Sequence, residues 1–148
     1  MRMMIAALGC ILMMVLCGAC SKNRICDEPD ENHGLILASV TDLCLPALGS
    51  KTYVIRDEAS YQLLFPSAEC AERIEIDFRT HSLLGFLVAG QGCSVKFRRE
   101  VRIDKEAFQY IYKITSITCG KCKEESISYN WVIVPRLLPD WTVRFVAE

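Results

Sequence analysis

Along most of the chain after residue 50, apolar and polar side chains alternate with the period of a β-strand. Arg73-Ile74-Glu75-Ile76-Asp77-Phe78 alternates strictly and predicts a half-buried strand with Ile74, Ile76 and Phe78 on one side. Leu83 to Ala89 is nearly all apolar and is bounded by Gly90 and Gly92, as expected of a central strand covered on both faces. From Ser94 to Ile103, Val95, Phe97, Val101 and Ile103 share a face that Arg99 interrupts, and Lys96, Arg98 and Arg102 take the solvent side. The polar turn Asp104-Lys105-Glu106-Ala107 leads into a second strand over 108–117. There the alternation shifts by one between Ile114 and Ile117, which predicts a bulge. Ile127, Tyr129 and Trp131 alternate, Trp131 to Val134 is a continuous apolar run ended by Pro135, and Trp141, Val143 and Phe145 close the chain.

One segment has helical spacing. Asp57 stands at the N-cap of Glu58 to Phe65, Tyr61, Leu64 and Phe65 share a face, and Pro66 is a stop. Tyr53-Val54-Ile55 is a short β-type run, and residues 35–48, apolar but for Asp42, fit either a strand or a packed arm. The connections are short, which favours antiparallel pairing over βαβ units. The expected fold is mainly β (α+β): an antiparallel curved sheet or small sandwich of about six or seven strands, with one short helix packed on one side.

The N-terminus has a different pattern. Arg2 precedes an apolar run from Met3 to Leu16, long enough for a signal peptide and too short to span a bilayer. Leu16-Cys17-Gly18-Ala19-Cys20 resembles a bacterial lipobox, with Cys17 where the third residue before the modified cysteine is usually Leu. The resemblance implies a lipoprotein signal peptide over residues 1–19 and lipid attachment at Cys20. Ser21 follows Cys20, a pattern that resembles sorting to the outer membrane, and the acidic Asp27-Glu28-Pro29-Asp30-Glu31 resembles surface-export signals of Bacteroides-type lipoproteins. Residues 20–34 are therefore expected to be a lipidated cysteine and a solvated polar tether, and residues 35–148 a single globular β-rich domain.

Of 9 Cys, Cys10 and Cys17 leave with the signal and Cys20 carries lipid. Cys26, Cys44, Cys70, Cys93, Cys119 and Cys122 remain, an even set outside the cytoplasm and hence candidate disulfides. Folding a hairpin about 104–107 brings Cys93 roughly opposite Cys119, where cross-strand Cβ atoms lie about 4.5–5.5 Å apart. The expected pair is Cys93–Cys119, with Cys122 as the rival partner. Cys119-Gly120-Lys121-Cys122 is also a CxxC motif. A redox dithiol needs its first cysteine at a helix N-terminus, whereas the residues that follow here have a strand pattern.

Composition narrows the chemistry. Hydrophobic residues make up 51% and charged residues 24%, enough for a packed core, and a net charge of -1 gives no sign of a nucleic-acid surface. There is no nucleophile elbow, phosphate-binding glycine loop or HExxH, and His33 and His81 lack the spacing of a zinc site. No catalytic residue, metal or cofactor is expected. Glu75 and Asp77 share a strand face as solvated carboxylates, Lys96, Arg98 and Arg102 form a basic row, and Trp141 is either core or a partner anchor.

From Tyr53 onward the order of features resembles a known family. It runs Tyr53-Val54-Ile55, a short helix, Ile76-Asp77-Phe78, Leu83-Leu84-Gly85, a glycine-containing turn and long hairpin, Trp131-Val132-Ile133-Val134-Pro135, and Val143-Arg144-Phe145. This is similar to the C-terminal domain of the PrcB type, an accessory lipoprotein of a bacterial surface protease complex. Where that family has Gly-Gly-Tyr after the central strand, this chain has Gly90-Gln91-Gly92-Cys93. The resemblance implies a non-catalytic subunit that helps a protease fold or stay stable. The expected function is thus a membrane-anchored, non-catalytic lipoprotein domain of the outer membrane, periplasmic or surface-exposed, that binds another envelope protein. The alternative is a thiol-disulfide oxidoreductase using Cys119 and Cys122.

Overall fold

A computed structural model describes residues 26, 29–40, 43, 44, 46, 49–66, 70 and 73–148. The expected signal peptide and Cys20 lie outside them. The elements are β1 (Glu31–Gly34), β2 (Ala38–Val40), β3 (Thr52–Ile55), α1 (Glu58–Leu64), β4 (His81–Gln91), β5 (Ser94–Asp104), β6 (Gln109–Cys119), β7 (Glu125–Pro135) and β8 (Thr142–Ala147). They form two four-stranded sheets, ordered β1-β5-β6-β8 and β2-β7-β4-β3. The fold is mainly β, a small sandwich with one short helix among the described residues. The second sheet and the β5–β6 hairpin are antiparallel, but β1 joins β5 and β8 joins β6 in parallel.

Three layers explain the apolar patterns. The first sheet packs on one face of the second, burying Leu84, Val88, Phe97, Val101, Tyr112, Ile114, Val132 and Val134. The other face of the second sheet carries α1 and the 65–78 segment over Tyr53, Ile55, Leu83 and Trp131. The middle of β4 and the Trp131–Val134 part of β7 are therefore covered on both sides and read as continuous apolar runs, while β5 and β6 have a solvent face and alternate. Asp57 caps α1 as expected: its Oδ1 accepts from Ser60 N at 2.8 Å, a bond that holds its carboxyl below the usual aspartate range.

Three expectations are corrected. Residues 73–77 are not a strand. Ile76 and Phe78 are buried and Glu75 and Asp77 exposed, so the alternation is real. It requires only an extended backbone lying on a core, and the segment rests against α1, where Tyr61 Oη donates to Ile74 O at 3.1 Å. No bulge interrupts β6, because the register with β5 runs unbroken from Asp104↔Gln109 to Ser94↔Cys119. Ser116 takes the inward position and reaches Ala89 O on β4, while Ile117 lies on the outer face opposite Lys96. The last residues of the expected tether are part of the sheets. β1 adds to β5, β2 adds to β7, and Gly34 turns the corner between them. At Gly34 φ is +72°, and a Cβ would collide with the Val101 carbonyl. The 35–48 stretch thus supplies a strand, β2, and Leu35 N and Leu37 N donate to Val101 O and Ile133 O on opposite sheets.

This N-terminal strap neutralises the one arginine buried inside the sandwich among the described residues. Arg99, the residue that interrupts the apolar face of β5, is 5% exposed. Its Nη2 meets Asp30 Oδ2 at 2.7 Å and its Nε donates to Asn130 Oδ1 at 2.9 Å. Asp30 Oδ1 also accepts from Phe97 N at 3.0 Å, and Tyr112 Oη donates to Asn130 O at 3.0 Å. Burial pushes the Tyr112 hydroxyl above the usual tyrosine range, against the pull of Arg99. Truncating Asp30 leaves the guanidinium buried without a counter-charge. Asp30→Ala should therefore lower the unfolding free energy by about 3 kcal/mol or more, whereas Arg102→Ala, which breaks the surface pair with Glu100, should cost about 1 kcal/mol or less. Urea denaturation of the oxidised protein measures both, and equal effects would contradict this account.

Candidate functional site

The six cysteines of the described chain pair as Cys26–Cys119, Cys44–Cys70 and Cys93–Cys122. The expected Cys93–Cys119 bridge is corrected, and the rival partner Cys122 takes Cys93. Ser94 lies directly opposite Cys119, so Cys93 falls one position beyond, and a one-residue offset points its side chain to the other face. Cys119 shares the outer face of β6 with Ile117 and is only 4% exposed, bonded there to Cys26. Cys93 is exposed, and the chain returns over it at Gly120. With φ at +80°, Gly120 reverses the backbone, and a Cβ there would collide with Cys93 Sγ. The CxxC cysteines are thus bonded to two different partners, and the motif sits at a strand end and loop rather than at a helix N-terminus.

The Cys26–Cys119 and Cys93–Cys122 bridges lie at one end of the β5–β6 hairpin, whereas Cys44–Cys70 belongs to the cluster around α1. β5 and β6 each have 11 residues, so the turn joining them lies about 35 Å away at 3.4 Å per residue. That opposite end carries exposed apolar side chains: Phe108 is 59% exposed and Leu138 56%. Phe108 stacks edge-on against Trp141 at 6.0 Å, and Trp141 in turn meets Tyr110 at 5.6 Å. Trp141 is half-buried, so it serves the core and the surface together. Arg56 fixes its loop, donating Nη1 to Pro139 O at 3.1 Å and Nη2 to Trp141 O.

Phe108 does not begin β6, as the alternation suggested. It closes the turn with φ at +48°, the left-handed region that L-residues other than Asn, Asp and Gly rarely occupy. A bulky ring there costs about 1–2 kcal/mol relative to an ordinary backbone. At 59% exposure, Phe108 recovers little burial energy in return. Sequence reasoning missed it because the strain is visible only once the turn boundaries are known.

The polar candidates are occupied locally. Asp77 accepts from Arg79 N and Nε, both at 3.1 Å, and from Thr80 Oγ1 at 3.0 Å, which together hold its carboxyl low. Glu75 is exposed. His33 meets Glu31 at 3.1 Å, and His81 Nδ1 lies 2.8 Å from Thr80 Oγ1. In the basic row, Arg98 pairs with Glu31 and Arg102 with Glu100. A cleft of about 410 Å³ lies between α1 and the 76–79 turn, lined by Arg56, Arg79 and Arg136 but also by Asp57, Glu58 and Asp77, so its charges cancel. Among the described residues, no three His, Cys, Asp or Glu side chains are grouped to hold a metal.

Asn tolerates the left-handed region. Phe108→Asn should relieve the turn as it gives up the contact with Trp141, leaving the unfolding free energy within about 1 kcal/mol of the parent. A loss well beyond that in chemical denaturation would make Phe108 a folding residue. Compared with family models, with curated proteins and with solved structures, the chain matches none.

Proposed function

We propose that the chain is a membrane-anchored, non-catalytic lipoprotein domain of the cell envelope that binds or stabilises another envelope protein. The observation that carries this reading is the strained, exposed Phe108 beside Trp141 at the end opposite the disulfide-tied N-terminus. Cys26 stands six residues after Cys20. That length spans at most about 20 Å, so a lipid on Cys20 keeps the Cys26–Cys119 end near the bilayer. The Phe108 end then projects away from lipid. A large aromatic pair held there, in a chain whose Arg56 braces the loop, suits a protein partner in the manner of binding hot spots. The resemblance to PrcB-type accessory subunits makes a surface protease the first partner class to test.

The test is recovery of tagged full-length protein from crosslinked membranes, parent beside Phe108→Asn. The parent should bring down a stoichiometric envelope protein and the variant should lose it while staying folded and membrane-bound. Equal recovery by both would remove Phe108 from the interface, and recovery of no partner by either would overturn the binding role.

A further inference from the structure

The Cys119-Gly120-Lys121-Cys122 turn gathers three cysteines from two bridges at one place. Cys93 N donates to Cys119 O at 2.8 Å, and Cys122 N donates to Cys93 Sγ at 3.1 Å. The two bridges differ in access. Cys93 and Cys122 are both exposed, while Cys119 is buried. Cys26–Cys119 also has a distinct mechanical role, since it ties the start of the N-terminal strap to the end of β6.

We propose that the Cys93–Cys122 disulfide is the point of attack for an external dithiol, and that opening it transfers oxidation to the Cys119–Cys122 pair and releases Cys26. The proposal is independent of the partner-binding role at the Phe108 end. In the first step the dithiol attacks Cys122 Sγ and Cys93 leaves as a thiolate, which the N–H of Cys122 is placed to stabilise. The second thiol of the reductant then displaces Cys122, and the reductant departs as its own disulfide, having supplied two electrons. In the second step the Cys122 thiolate attacks Cys119 Sγ. The Cys119–Cys122 bond forms, the Cys26–Cys119 bond breaks, and Cys26 leaves as a thiolate that takes a proton from solvent. This exchange consumes no further electrons. Only Gly120 and Lys121, both exposed loop residues, separate the two cysteines once Cys122 is free of Cys93. The strap then keeps its hydrogen bonds to both sheets but loses its covalent tie.

The exchange is testable on the full-length protein by graded dithiothreitol without oxygen, acid quenching, alkylation and peptide mapping under non-reducing conditions. Trypsin cuts after Lys121, so Cys119 and Cys122 fall on separate peptides and a bond between them is read directly. The expected intermediate has Cys119 linked to Cys122, Cys26 and Cys93 alkylated, and Cys44–Cys70 intact. In the double variant C93A/C122S, Cys26–Cys119 should open only at about tenfold higher dithiol concentration or more, since its internal attacker is gone. Opening at the same concentration in both proteins, or a parent titration in which Cys119–Cys122 never forms, would overturn the proposal. If the double variant fails to fold, the parent titration alone decides.

Discussion

An arginine sits where the apolar face of β5 should be unbroken, and the architecture of the N-terminal half follows from accommodating it. A guanidinium between two sheets is tolerated only with a counter-charge and hydrogen-bond acceptors close by. Asn130 on β7 supplies one acceptor, and Asp30 supplies the charge and also accepts from Phe97 N. Asp30 reaches Arg99 because the following residues run as β1 along β5 and then cross at Gly34 to pair with β7. The segment that looks most like a solvated tether is thus the element that closes one edge of the sandwich.

The Cys26–Cys119 bridge reinforces the same closure. It joins residues 93 positions apart, and on the chain-entropy account a loop of that size removes about 4–5 kcal/mol of freedom from the unfolded chain. Covalent tie, buried ion pair and two short ladders all act on one strap, so the parallel edge β1 is held by far more than its four residues of pairing. At the opposite edge of that sheet, β8 is held by six register pairs with β6 and by Arg56 gripping the loop before it.

The two ends of the β5–β6 hairpin therefore differ in kind. One is cross-linked, with cysteines crowded around a glycine that no other residue could replace without collision. The other is bare of cross-links and presents aromatic surface on a turn whose backbone is under strain. Under the proposed role, that polarity would separate the end near the anchor from the end that meets a partner.

The sequence by itself determined the strands from Leu83 onward, the capped helix after Asp57, and the presence of six cysteines suited to pairing. Each rests on local periodicity or on a capping residue, and local backbone geometry is enough to express it. Sequence alone also distinguished the apolar runs Leu83 to Ala89 in β4 and Trp131 to Val134 in β7 from β5 and β6, which alternate, because coverage on two faces or one is written into composition. Only the tertiary structure decided the disulfide pairing, since a one-residue register offset reverses which face a cysteine takes. Only the tertiary structure showed that Ile74 to Phe78 lacks a ladder, because burial on one side and hydrogen bonding at the edge are separate requirements. The partnership of Asp30 with Arg99 and the strain at Phe108 were equally out of reach. Both depend on where residues distant in sequence, or a turn's dihedral angles, are placed by packing that no local pattern encodes.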